Sequence, residues 1–408
     1  MKSTEERLMR YCRIDTQSDE NNLEVTPSTE KQFDLARMLE KEMKEMGLSD
    51  VYLDEHCYVY GLLKSNVSYP VKKIGFVAHM DTAPQFSGTN VNPQLIRNYD
   101  GKEIRLNDTM VITTEEYPDL LDQTGKTIMT ADGSTLLGAD DKAGIVAIME
   151  AVQYLIDHPE IPHGDIAVGF TPDEEIGNGP KYFDLERFGC EFGYTMDGGA
   201  VNEMAYETFN AASAKVKVAG FSIHPGSAKG KMINAASIAA NFHEMTPKHM
   251  RPEFTEGREG FIHLTGMSGD CDHAELVYIL RDHDLAKMEH QKVILKDIAA
   301  YLNSVYGEGT VTVEIKDVYH NMAEVFTDHP EALQIADEAL RSFGLVPDKA
   351  PVRGGTDGAT FSLRGMPCPN LGCGGRNFHG PFEYCVMEEL DQSVEVILKI
   401  VELVSKEN

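Results

Sequence analysis

Basic residues are scarce in this chain. It carries 37 Lys and Arg against 66 Asp and Glu over 408 residues, a formal net charge of −29 at pH 7. Such a balance repels phosphate backbones and anionic lipid, which argues against nucleic acid and membrane surfaces as partners. Cysteines are few as well: seven, odd in number and scattered at 12, 57, 190, 271, 368, 373 and 385. That is no disulfide framework, and it points to a reducing, cytoplasmic setting. A long apolar run is also missing. The longest stretch, Ala143 to Ile156, is interrupted by Glu150 and Gln153 and is too short and polar to cross a bilayer. The opening MKSTEERLMRYCRIDTQ alternates charges with single apolar residues and reads as an amphipathic helix, not a signal peptide. There is no G-x-S-x-G string and no Walker frame in SAKGKM or RGGTDG, and the C-x₄-C spacing of Cys368 and Cys373 fits no common zinc or redox motif. Serine, cysteine and phosphate-loop chemistry are thereby disfavoured.

What is present is an alternation of helical and β-rich segments, expected of an α/β sheet domain. The pattern predicts a helix over 27–46, with Pro27 in its first turn and Gly47 just past its end. From about Asn210 the order becomes strand, helix, two strands, helix, strand, a βαββαβ unit of the ferredoxin-like kind. This predicts a first domain of residues 1–209 and 322–408 interrupted by an inserted domain of residues 210–321. A late residue that completes an early site makes the first domain discontinuous.

The acids and histidines cluster at the ends of the β-runs. IGFVAH leads into Met80-Asp81, IAVGFTP into Asp173-Glu174-Glu175, FGYTM into Asp197, and Leu136 to Ala139 into Asp140-Asp141. Open α/β sheets place their ligands at such ends. Taken singly, each cluster reads as a hydrogen-bonded histidine or a solvated acid pair, and Asp140-Asp141 equally as a helix cap. Taken together, Asp81, Asp140, Glu174, Glu175 and Asp197 share one crevice, and like charges there force protonation unless cations intervene. Carboxylates with imidazole suit zinc, cobalt or manganese, and the charge of this set calls for two ions.

The strings HMDT (79–82), TLLGADDKAG (135–144), FTPDEEIG (170–177), YTMDGG (194–199), HPGSAKG (224–230), RGGTDG (353–358) and NFHG (377–380) stand in that order along the chain. Together they resemble the tripeptide aminopeptidases of the di-zinc superfamily that also holds carboxypeptidases and acyl-amino-acid deacylases, over about Tyr11 to Val404. The resemblance implies a zinc-exopeptidase-like catalytic domain with a mixed central sheet flanked by helices, plus the inserted domain as a lid and dimerisation surface. It implies two zinc ions. His79 and Asp197 would ligate one, Glu175 and His379 the other, and Asp140 would bridge them, with Asp141 beside it outside the ligand set. Glu174 would be the general base toward a water nucleophile, and Asp81 would orient His79 through its other ring nitrogen. His224, Arg281 and Arg353 are the expected contacts for the peptide carboxylate and the oxyanion. Carboxypeptidase and deacylase activities, and a peptide-binding relative without catalysis, are the competing readings. Short peptides and a second copy of the chain are the expected partners.

Overall fold

The computed structural model describes residues 2–406. The chain forms two compact units: one of residues up to Tyr206, Glu324–Ala350 and from Thr356 onward, the other of Glu207–Ala323 with Pro351–Gly355. The segment Pro351–Gly355 with Arg353, placed with residues 322–408 by its position in the sequence, groups instead with the second unit. Its backbone is taken up there: Val352 donates to Glu207 O and Gly354 O accepts from Phe209.

The first unit is built on a seven-stranded mixed sheet in the order Ser49–Leu53, Val59–Leu63, Ile166–Thr171, Ile74–His79, Phe192–Gly198, Asn370–Gly372, Met204–Ala205. The four central strands run parallel and the outer ones antiparallel. Every residue of Ile74–His79 and Ile166–Thr171 is buried, the mark of a parallel sheet covered on both faces. Part of that cover is the helix Ala139–Asp157, which packs on the strands ending at His79 and Gly198 and on the helices Lys2–Cys12 and Met387–Val404. Its Ile145, Val146, Ile148, Met149, Val152 and Leu155 are all buried, and each such side chain is worth about 1.5–3 kcal/mol. Approach to the sheet is close enough to require glycine at 144, where a Cβ would sit 2.1 Å from Met196 O and 2.4 Å from Asp141 Oδ1.

The helix expected over 27–46 begins only at Gln32 and ends at Met46, with Gly47 closing it at φ 94°. The missing first turn has a tertiary cause: the N–H and hydroxyl of Ser28 are both bound to Asp173, 145 residues away.

The second unit is a four-stranded antiparallel sheet in the order Phe261–Gly269, His273–Asp282, Asn210–Ala219, Val311–Tyr319, with helices Ala235–Met245 and Leu285–Tyr306 packed against it. Burial alternates along His273–Asp282, as it must when one sheet face meets the helices and the other meets water. The buried side Val216, Leu276, Tyr278 and Leu280 packs with Phe242, Met288 and Leu295.

Candidate metal and catalytic site

Parallel strands deliver their last residues to one edge of the sheet, and five chain segments meet there. His79 ends its strand, Asp197 lies one residue before the end of Phe192–Gly198, and Glu174 and Glu175 form a short 3₁₀ turn beyond Thr171. Asp140 and Asp141 stand at the head of the helix Ala139–Asp157 but outside helical geometry, with ψ of 104° at Asp140. His379 comes from the loop between Gly375–Arg376 and Tyr384–Val386.

Asp140 and Asp141 make different contacts. Asp141 Oδ1 accepts from Gly144 N (3.1 Å), the cap of the regular helix, and its Oδ2 accepts from His79 N (3.2 Å). Asp140 turns the other way. Its Oδ1 lies 2.9 Å from His79 Nε2 and its Oδ2 lies 3.3 Å from His379 Nε2. Asp197 Oδ1 is 3.5 Å from His79 Nε2, and Glu175 Oε2 is 2.9 Å from His379 Nε2. The half-buried Glu174 carboxyl lies in the electrostatic reach of Asp197, His79 and Asp357.

Asp81, 0% exposed, ties the site together from below. Its Oδ1 lies 3.4 Å from His79 Nδ1, and its two oxygens accept from Glu174 N (2.9 Å) and Glu175 N (3.2 Å). The same ring nitrogen of His79 lies 3.1 Å from Asp81 O.

These residues fit a pair of divalent ions. Two overlapping groups, His79 with Asp141 and Asp197 and His79 with Asp140 and Glu175, each hold their ligand atoms within 4.8 Å of one another. Of the two aspartates in the first group, Asp141 has both oxygens bonded to backbone N–H, which leaves Asp197 as the freer donor. Glu175 Oε1 is buried with no hydrogen-bond partner, a costly arrangement unless another group comes to it.

Protonation carries the same message. Hydrogen bonds to Asp140 and Glu175 raise the His379 imidazole to about 10. Burial works against a charged His79, yet the charge of Asp197 and bonds to Asp140, Asp197 and Asp81 hold it well above its ordinary value. Burial and the Asp140 charge push Glu175 up to about 8, and burial with the Asp197 charge pushes Glu174 well up. Asp140 is burdened by burial, but the two imidazoles outweigh it and keep it ionised. Without metal the site thus stores protons on both imidazoles and on Glu175, and ligation must displace them. Loading the metal-free chain with zinc at pH 7 is expected to release about three protons per chain, read with an indicator dye in weak buffer. Release of fewer than one would show that the imidazoles are not ligands.

A residue that sequence reasoning passed over anchors the catalytic turn. Asp173 is 0% exposed and adopts φ 58°. Its Oδ1 accepts from Ser28 Oγ (2.6 Å) and Gln32 Nε2 (2.7 Å), and its Oδ2 accepts from Ser28 N (2.7 Å). Asp173→Ala leaves these buried donors unpaired, and a loss of about 2–4 kcal/mol is expected in urea denaturation. Because the turn carries Glu174, kcat should fall as well.

The other expected contacts belong to the second unit. His224 is exposed and its Nδ1 accepts from Gly226 N (3.2 Å). Arg281 is half-buried, with Nη1 donating to Leu280 O (2.9 Å) and its guanidinium 5.5 Å from the Tyr319 ring centroid. Arg353 donates from Nη1 to Gly257 O and Glu259 O, both at 2.8 Å, and from Nη2 to Thr255 Oγ1 at 2.9 Å. It bridges the 255–259 loop, and this accounts for most of its donors.

Residues 129–403 match the model of peptidase family M20/M25/M40. The chain is 50% identical over 403 residues to Peptidase T of Clostridium perfringens, covering 99% of each. Among solved structures it resembles an aminopeptidase from Bacillus cereus, with a TM-score of 0.78, 25% identity and 99% of each chain covered. A dinuclear metal-binding peptidase from Bacillus subtilis shares the fold, with a TM-score of 0.63, 14% identity and 99% of each chain covered.

Proposed function

The chain belongs to peptidase family M20/M25/M40, and on that premise we propose that it is an aminopeptidase that removes the N-terminal residue from tripeptides with the help of two zinc ions. The observation that carries this reading is the posture of Asp140, whose two oxygens face two different imidazoles at 2.9 and 3.3 Å. A carboxylate between two metals presents itself in this way. Preference for tripeptides rests on the ordered motif strings and on the kinship with Peptidase T.

His79, Asp140 and Asp197 would hold one ion, and Asp140, Glu175 and His379 the other. When bound, the ions lower the proton affinity of a water and polarise the scissile carbonyl. Glu174, whose carboxyl has a raised proton affinity, takes a proton from the attacking water and returns it to the departing amine. Asp81 keeps His79 turned toward its ligand position and holds the turn bearing Glu174 by its backbone. His224, Arg281 and Arg353 are the candidates that the motif strings offer for the carboxylate end and the oxyanion.

Seven free cysteines suit a cytoplasmic enzyme. No helix among the described residues is long and apolar enough to cross a membrane. The exposed Val293, Tyr301 and Val305 of the helix Leu285–Tyr306 support assembly of two copies through the second unit.

The test is hydrolysis of a tripeptide with a free N-terminus, its N-acetylated form, and the corresponding dipeptide. Fast cleavage of the free tripeptide alone is the expected result. Preference for the acetylated peptide would assign a deacylase, release of the C-terminal residue would assign a carboxypeptidase, and no cleavage by the zinc-loaded chain would leave peptide binding only.

A further inference from the structure

Glu383 has no task in the reaction just described, yet its carboxylate is costly to bury. It is 1% exposed. Its Oε2 accepts from Leu137 N (2.9 Å) and Gly138 N (2.8 Å), and its Oε1 accepts from Asp140 N (3.0 Å). Among the described residues no lysine or arginine forms an ion pair with it; the buried Lys142 lies in its electrostatic reach but donates its Nζ to Ile14 O (2.8 Å). A buried carboxylate held only by backbone amides gives less stability than an apolar side chain of its size.

Its position explains the expense. Glu383 ends the loop that carries His379. That loop is closed on itself by Asn377 Nδ2 to Phe382 O and by Glu383 N to Gly380 O, both at 3.3 Å. Asn377 and His379 adopt φ of 54° and 65°, left-handed values that persist in a non-glycine residue only when the surroundings impose them. The three amides that Glu383 binds belong to the segment that aims Asp140. Two chain segments more than 230 residues apart thus meet through one side chain.

We propose that Glu383 is a positioning residue that locks the His379 loop to the Asp140 segment, so that the two side chains are presented to the metal pair as one rigid unit. The inference rests on the functional reading above, since it takes Asp140 and His379 as ligands. Glu383 itself touches neither metal nor substrate. Removing its charge or its reach leaves three N–H groups without a full acceptor and frees Asp140 to turn away from His379. The Asp197 side of the site keeps its own bonds.

Two full-length variants test this. Glu383→Gln keeps the reach and loses the charge; Glu383→Asp keeps the charge and loses the reach. Zinc titration of the metal-free proteins by calorimetry is expected to show two ions for the wild type. In both variants the weaker site should lose 10- to 100-fold in affinity, the usual cost of removing a residue that holds a ligand in place. kcat should fall while KM stays within about twofold, because the substrate's own contacts are untouched. A lower unfolding midpoint with unchanged zinc affinity and unchanged kcat would overturn the proposal, since a purely structural side chain would give that result. A wild type that binds no zinc would overturn the functional reading together with this one. If neither variant folds, amide exchange in the wild type decides. Leu137, Gly138 and Asp140 N–H should exchange only on global unfolding, and exchange at open-loop rates would overturn the clamp.

Discussion

Glu174→Gln should lower kcat for tripeptide hydrolysis by about 10³- to 10⁴-fold and leave the metal content unchanged. General acid–base catalysis is worth about 10²- to 10⁴-fold, and the upper range applies because one residue serves both proton transfers. The backbone bond from Glu174 N to Asp81 Oδ1, 2.9 Å long, survives the substitution, and glutamine has the same shape. Neither the turn nor the ligand set is disturbed, so metal analysis should still find two ions per chain. The variant loses only a group able to take a proton, one whose proton affinity burial and the charge of Asp197 raise. Activity above a tenth of wild type would remove Glu174 from its role. Loss of metal along with activity would move it into the ligand set.

Stripping divalent ions should reduce activity below one hundredth of the loaded enzyme and reverse the effect of pH on stability. In the metal-free chain the His379 imidazole lies at about 10 against an ordinary 6.5, through its bonds to Asp140 and Glu175. A raised basic group contributes stability in full below about pH 6.5 and loses it as pH climbs toward 10. Glu175 lies at about 8 against an ordinary 4.5, chiefly through burial. The folded chain therefore holds that proton more tightly than the unfolded one, and stability again falls, between about pH 4.5 and 8. Both contributions have the same sign, so the urea midpoint of the metal-free protein should drop steadily from pH 6 to pH 9. Metal ligation removes these protons, and affinity for the ions rises with pH. The loaded protein should therefore hold or gain midpoint over the same range. Parallel curves with and without chelator would show that no metal links to these residues.

How far the site was legible can be judged residue by residue. His79, Asp140, Glu175 and Asp197 were visible as acids and a histidine at the ends of β-runs, His379 only through the NFHG string of the family resemblance, and the fold brings each side chain within 3.5 Å of another of the set. Asp173 was visible only as one more acid in a run of three. Nothing nearby in the sequence says that its partners are Ser28 and Gln32, 145 and 141 residues away. The same contact shortened the helix that propensity would start at Pro27. Glu383 was hidden for a similar reason, because its partners are backbone amides and amides carry no sequence signature. Arg353 was read as a substrate contact from its glycine-rich surroundings, and its bonds to the 255–259 loop emerge only once Pro351–Gly355 is seen to join the second unit.

Hydrophobic periodicity and residue chemistry are local properties, and they were enough to read an α/β sheet unit, a βαββαβ unit and a candidate metal-binding cluster of carboxylates with His79. The tertiary structure alone decided which of two adjacent aspartates caps the helix and which faces the imidazoles. It also decided which buried carboxylates hold the loops in place and where the Gln32 helix begins. Those outcomes depend on hydrogen bonds between segments that are distant in the chain, and such bonds are set by the packing of the whole sheet rather than by any neighbour in sequence.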